Sequence, residues 1–432
     1  MSKKIYYANK ILQPVNEDRL LALAKKYDDA FIFQTPDNLK LYAFGSLSQI
    51  APGSSQKNQF IAVAHWKNRL HSLLVPINAA IPPQIVGSFS FSPAQTGKSV
   101  WGNLANGYFF LPKFLIIIEN NKYRLVTSSF SKSNIEQEQI TFAALFSTVG
   151  LPNQQLTNAI VAKKELNVTE WAAAVAKLIK LIKKTDLKKV VFARNLQIEL
   201  AYAPNLYLLW QRLQDTQPNT YHILLKRKKM IFLSATPERF AKFGAAYFET
   251  AAIAGTTRRG TTPLEDKQLG DSLLVDKKNR GEQQFVVDDI SNSLKKAGLI
   301  VQHPQTPILL KNKNVQHLFT PIKGTGSYNL FSLLHALHPT PALGGLPRKK
   351  ALIQINKIEP FARGLFGAPI GHISFDGTGE LAVGIRSGII NETTLFLFAG
   401  AGIVADSVPE TEVAETRMKF NPILNILKED TE

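Results

Sequence analysis

The sequence predicts a mixed α+β fold, with large β-sheets packed against helices. Three observations carry that reading. Runs with the two-residue period of strands and runs with the period of helices share the chain. They follow one another without the regular strand–helix–strand rhythm of a doubly wound fold. Apolar residues make up 45% of the 432 and are spread throughout, with no repeat or low-complexity tract, so a large core can form.

Up to about residue 150, aromatic and β-like runs dominate: Phe31-Ile32-Phe33, Phe89-Ser90-Phe91 and Phe114-Leu115-Ile116-Ile117-Ile118. The alternation in SFSFSP predicts a half-buried strand, and Pro82-Pro83, Pro93 and Pro112 punctuate the region. A helix follows, with Asn167 as its cap and Glu170 three residues on to return the bond. Trp171, Val175, Leu178, Ile179 and Ile182 share one face of it, and Lys183-Lys184 suit its negative end. KKVVFARNLQIEL is strand-like, as are KKMIFLSAT and the run around YFETAAIAG, which leads to a glycine turn. A helical pattern spans Leu269 to Ala297. TLFLFAGAGIV reads as a buried strand entering a glycine-rich turn. Ser407 then caps a last helix, with Pro409 in its first turn and Glu410 completing a capping box.

Composition removes several function classes. There is no cysteine, so a disulfide scaffold, a thiolate metal site and a cysteine nucleophile are excluded. Any metal must sit on oxygen or imidazole. The segment MSKKIYYANKILQP lacks the apolar stretch of a signal peptide, and no run reaches membrane-spanning length. A cytoplasmic protein without a membrane partner is expected. The net charge of +18 invites a nucleic-acid reading, but the lysines are dispersed and not interleaved with aromatics. A solvated basic surface and no nucleic-acid partner are expected.

Three carboxylates could hold a cation. Glu412 and Glu415 project from one face of the last helix, and Glu282 sits within the helical pattern DKKNRGEQQFVVDDI. If those helices pack side by side, oxygen ligands would suit Mg²⁺ better than zinc. Glutamates on helices are more often solvated or lysine-paired, and Lys419 lies four residues after Glu415. Two glycine segments, AIAGTTRRG and FAGAGIV, could build anion-binding concavities or simply turn the chain. Arg386, read as lying within an apolar strand in VGIRSGII, needs an anion, which could be a substrate carboxylate or an internal glutamate.

Taken together, ten segments resemble the chorismate-binding enzymes, among them isochorismate, salicylate, anthranilate and aminodeoxychorismate synthases. They are the helix starting NVTEW, KKVVFAR, FLSATPERF, AIAGTTRRG, KNRGEQQFVVDDI, NVQHLFTPIKG, LHPTPALGGLPR, IEPFARGLFGAPIG, LAVGIRSGII and FAGAGIVADSVPETEVAET. These occur in family order over residues 167–428, while residues 1–150 match more loosely through SFSFSP, Trp101 and Phe110-Leu111-Pro112. The resemblance implies the family's α+β fold and one catalytic domain over residues 1–432. It implies Glu282, Glu412 and Glu415 at the Mg²⁺ site, Lys189 as general base and Glu238 as general acid. Arg386 and the backbone at Gly255, Thr256, Gly400 and Gly402 correspond to substrate contacts, and His338 to the wall of the site.

Within that family, a lysine at position 189 points to water as nucleophile instead of ammonia, and Ala254 stands where aminodeoxychorismate synthases carry lysine. The implied reaction adds water to C2 of chorismate while the C4 hydroxyl leaves, so base and acid must act together. Lys189 should then have a lowered pKa and Glu238 a raised one. SATP in place of GASP and Gln283 in place of histidine are departures from the pattern. The resemblance implies an isochorismate synthase serving menaquinone or siderophore synthesis, a monomer without an amidotransferase subunit. A salicylate synthase, eliminating pyruvate in the same pocket, is the alternative within the family. A basic, non-catalytic binding protein on this scaffold is the alternative outside it.

Overall fold

The computed structural model describes residues 3–54, 58–78, 81–92, 99–150, 160–311 and 315–427. Its 21 strands, among the described residues, form one hydrogen-bonded network, antiparallel apart from the pairing of Ile5–Leu12 with Leu74–Pro76. The long strand Tyr108–Glu119 joins two layers. Its second half pairs with Lys122–Ser129 and its first half with Gln84–Ser88. From there one layer runs through Lys40–Ile50, Asp29–Gln34, Tyr221–Arg227, Met230–Thr236, Ser387–Asn391 and Thr394–Ile403 to Lys189–Leu200. The other runs through Pro369–Ser374, Gly379–Val383, Arg239–Gly244 and Tyr247–Arg258 to Val315–Thr325.

Strand alternation shows that the layers face each other. On Asp29–Gln34, Phe31 and Phe33 enter a core shared with Val86, Ile370 and Ala382 of the second layer. Ala30 and Ile32 point the other way, toward Leu20, Leu23, Leu209 and Trp210 of the helices Glu17–Leu23 and Leu206–Thr216. Behind the second layer, Phe240, Phe243 and Leu381 pack with Val286, Val287 and Ile290 of helix Lys277–Lys296. Helices therefore cover both outer faces of a two-layer sheet. None of the described helices is long and apolar enough to cross a membrane.

Several local expectations change in the structure. SFSFSP is not a half-buried strand: Gln84–Ser88 ends there, and Phe89, Ser90 and Phe91 are all buried. The side chain of Gln59 accepts from the Ser90 N–H and hydroxyl and donates to its carbonyl, so polar residues need no water. Pro93 lies outside the described residues. Pro112 sits inside a strand, where the register shifts between Ser46 and Ser48 and no N–H is required. Asn167 has φ 51° and makes no side-chain cap; the helix Val168–Lys184 opens on its carbonyl, which accepts from Trp171. The expected face of that helix is buried at Trp171, Val175, Leu178 and Ile182, and half-buried at Ile179.

The pattern from Leu269 to Ala297 is two helices, Pro263–Val275 and Lys277–Lys296. They divide at Asp276, whose carboxylate accepts from the Asn279 N–H at 2.7 Å and caps the second. Ser407 does not cap the last helix, Pro409–Leu424; its hydroxyl accepts from Val404 N–H and closes the preceding turn, leaving Val408 at the cap. Pro409 occupies the first turn as expected. FAGAGIV is strand as far as Ile403 and only then turns, with Gly400 opposite Ala193 and Gly402 opposite Val191. Arg386 lies in a bend with φ 48°, between two strands.

The strand Lys189–Leu200 is tied to the helix Val168–Lys184 by the indole of Trp171, which donates to the Ala193 carbonyl at 2.9 Å. Trp171→Phe keeps most of the apolar volume but orphans that carbonyl. A loss of about 1–3 kcal/mol is expected in urea denaturation; an unchanged midpoint would show that the bond carries no stability.

Candidate active site

Lys189 opens its strand, and its Nζ lies 2.6 Å from Glu282 Oε1 of helix Lys277–Lys296. The path of its side chain depends on Gly402 across the sheet. A Cβ on Gly402 would stand 2.9 Å from Lys189 Cε and 3.5 Å from Nζ. Glu238 sits in the turn between Met230–Thr236 and Arg239–Gly244, with its backbone fixed by Thr236 Oγ1 and by the Val383 N–H. Burial pushes its carboxyl up to about 7, against the opposing charges of Arg386, Lys189 and Lys419. That is the direction expected of a general acid.

The last helix brings Glu412, Glu415 and Lys419 to the same place. Lys419 pairs with Glu415 and donates to the Gly400 carbonyl at 2.8 Å. Burial lowers the Lys419 pKa, opposed by Glu415. Glu415 is raised by burial but brought below the ordinary carboxylate range by Lys419, Arg386 and Lys189. Glu412 is raised, first by burial and further by the charge of Glu415. Arg386 is lowered by burial, with Glu415 and Glu238 favouring its charged form. Lys189, Glu238, Glu282, Arg386, Glu412, Glu415 and Lys419 therefore belong to one electrostatic neighbourhood.

The wall beside them is the strand Tyr247–Arg258. Gly255, with φ +69°, forms a bulge where the register shifts between Ala254 and Thr256. The Thr256 hydroxyl lies 2.8 Å from His317 Nδ1 on the neighbouring strand. Burial lowers His317 to about 4, helped by Arg386 and Lys419, so at neutral pH it is an uncharged imidazole. Sequence reasoning overlooked His317; it named Lys419 as a pairing partner for Glu415, and the structure makes that pair. The signal for His317 was its alternation on Val315–Thr325, where Gln316, Leu318 and Thr320 are buried and His317 faces the other way. His338 is placed elsewhere, among the rings of Phe60, Phe91 and Phe240, with Nε2 against the Phe91 carbonyl at 2.9 Å.

Among the described residues no three acidic or imidazole side chains gather into a ready-made metal cage. The donors nevertheless fit Mg²⁺, which commonly takes one or two carboxylates and completes its shell with water and substrate. Glu412 already feels the like charge of Glu415, a strain that a cation relieves. Two lysines and an arginine beside these acids suit a small molecule carrying two carboxylates.

Comparison with known proteins shows the family. The family model described as "chorismate binding enzyme" matches residues 2–428. Isochorismate synthase MenF of Bacillus subtilis is 36% identical over 357 residues, covering 81% of this chain and 76% of that protein. The salicylate biosynthesis isochorismate synthase of Pseudomonas aeruginosa is 30% identical, covering 81% of this chain and 75% of its own. In fold, the chain is similar to the menaquinone-specific isochorismate synthase MenF of Escherichia coli, with a TM-score of 0.85 and 24% identity over 99% of this chain and 95% of that one. Anthranilate synthase component I of Streptococcus pneumoniae has a TM-score of 0.78 at 20% identity, over 90% and 92% of the two chains.

Glu238 makes the site pH-sensitive. Its folded pKa lies above the ordinary value of 4.5, so the stability it lends is complete below that value and is lost as pH rises through about 7. Glu238→Gln should therefore gain stability relative to the parent between pH 5 and 8, read by urea denaturation at each pH. A difference that stays constant across the window would show that the carboxyl titrates normally.

Proposed function

The chain belongs to the chorismate-binding enzyme family, and from that premise we infer that it is an isochorismate synthase, an isomerase interconverting chorismate and isochorismate. The observation that carries the reading to a mechanism is the pairing of opposites at one site: an amine at Lys189 and a carboxyl at Glu238 raised to about 7. Water is a weak nucleophile and hydroxide a poor leaving group, so neither half of the exchange proceeds well alone.

Lys189, as the amine, accepts a proton from the water whose oxygen bonds to C2 of the ring. The ring double bond shifts as the C4–O bond breaks. Glu238 delivers its proton to the departing hydroxyl, which leaves as water, so atoms and charge balance. Arg386 holds the enolpyruvyl carboxylate, and the backbone at Gly255, Thr256, Gly400 and Gly402 orients the ring. Bound Mg²⁺ would supply a hard positive charge for the ring carboxylate, and Glu282 and Glu415, with Glu412 beside them, would hold it. Water as nucleophile removes any need for an amidotransferase subunit. We place the enzyme in the cytoplasm, as a monomer, with its product going to menaquinone synthesis; the likeness to isochorismate synthase MenF of B. subtilis supports that route over a siderophore.

Product analysis after incubation with chorismate and Mg²⁺, with and without ammonium, tests this. Isochorismate is expected in both, with EDTA stopping turnover and Mg²⁺ restoring it. Lys189→Ala should cost about 10²–10⁴-fold in rate without loss of fold. Salicylate and pyruvate as products would shift the reading to a salicylate synthase. No turnover, with salt-sensitive nucleic-acid binding, would replace it by a binding protein.

A further inference from the structure

Part of the strand that carries Lys189 is bordered by side chains where a neighbouring strand would lie. Along one edge, Lys189–Leu200 pairs without interruption with Thr394–Ile403. Along the other, Ile160–Glu165 takes Leu196 to Leu200, and Gly345–Leu346 takes Lys189 and Val190. Between these, Val191 to Asn195 meet no strand among the described residues. Backbone groups buried there must still be satisfied.

The Val191 N–H donates to the Gly344 carbonyl, the Ala193 carbonyl accepts from Trp171 and the Asn195 carbonyl from the Leu166 N–H; two residues four apart supply the bonds that remain. Ala193 N–H donates to Glu359 Oε1 at 2.7 Å, and the Val191 carbonyl accepts from Arg363 Nη2 at 2.6 Å. Glu359 and Arg363 are bonded to each other through Nε and Oε2 at 2.8 Å and through a second contact between Nη2 and Oε1. Both side chains are buried, 3% and 2% exposed. Arg363 also donates to the Leu343 carbonyl at 2.9 Å and lies over the Phe91 ring, 4.2 Å from its centre. The same pair thus grips the strand and the segment that leads into Gly345–Leu346.

A buried ion pair is weak evidence for stability, because apolar replacements often do as well. What this one provides is direction. Its bonds reach the backbone two and four residues from Lys189, and Arg363 ties down the chain paired with Lys189 itself. Resting on the reading of Lys189 as general base, we propose that Glu359 and Arg363 are positioning residues. They stand in for part of an absent strand and fix the point from which the Lys189 side chain leaves the sheet toward Glu282. Neither touches substrate; both act through Lys189.

The test is steady-state kinetics on Glu359→Gln and Arg363→Lys, with parental enzyme alongside. Glutamine keeps one oxygen for the Ala193 N–H and Arg363 Nη2 but puts an NH₂ where Oε2 accepts from Arg363 Nε, so the two-point grip on the guanidinium is lost. Lysine keeps the charge but loses the fork that spans Glu359, Val191 and Leu343. Misplacing a catalytic group by about 1 Å can cost about 10²-fold, so kcat should fall by about tenfold or more in each variant. KM for chorismate and the Mg²⁺ concentration for half-activation should stay within about twofold, because the substrate contacts are elsewhere. A lowered melting temperature with kcat within twofold of the parent overturns the proposal, as does a loss expressed in KM. Either variant that folds decides it. Failure of the parental enzyme to turn over chorismate would count against the reaction itself, a different result from a parent that works and variants that work equally well.

Discussion

Balanced burial of opposite charges is the constraint on which this molecule depends. Four carboxyl groups, Glu238, Glu282, Glu412 and Glu415, share one electrostatic neighbourhood with Lys189, Arg386 and Lys419. Removing one partner from such a set leaves another charge buried and uncompensated, which costs several kcal/mol. A divalent cation and a substrate with two carboxylates add no net charge when they enter together, whereas either alone shifts the balance by two charges. Affinity for one should thus depend on the other.

The fold exists to hold those charges at fixed points. Lys189 and Gly402 come from neighbouring strands of one layer, and the missing side chain of Gly402 leaves the lysine its path. Glu282 comes from a helix packed on the other layer, so the Lys189–Glu282 contact spans the two. Glu238 lies at the crossing from one layer to the next, between Met230–Thr236 and Arg239–Gly244. Arg386 lies at a second crossing, between Gly379–Val383 and Ser387–Asn391. Acid and guanidinium are thereby placed at breaks in strand pairing, where side chains can leave the sheet.

How much of this was legible follows from the range of the forces involved. The strands 189–200, 230–236, 247–258 and 394–403 could be read because long apolar, β-branched runs have few other ways to be buried. Helix caps were misread at Asn167 and Ser407, because a cap depends on the backbone angle and not on the residue type alone. SFSFSP misled because Gln59, distant in sequence, satisfies its serine. The glycines of FAGAGIV looked like a turn, but they mark close approach between strands. Family resemblance gathered Lys189, Glu238, Arg386 and the three glutamates; the Lys419–Glu415 pair was legible from helical spacing, whereas His317 and the bond from Lys419 to Gly400 were missed because Thr256 and Gly400 come from other elements.

The central claim is that a base and an acid exchange two oxygens across one ring, the entering one from solvent. The most direct measurement is turnover of chorismate in H₂¹⁸O, with isochorismate read by mass spectrometry. One ¹⁸O per product molecule is predicted for the parent, and no labelled product from Glu238→Gln over the same interval. Unlabelled isochorismate from the parent would mean that the hydroxyl migrates within the substrate, and the account would be wrong.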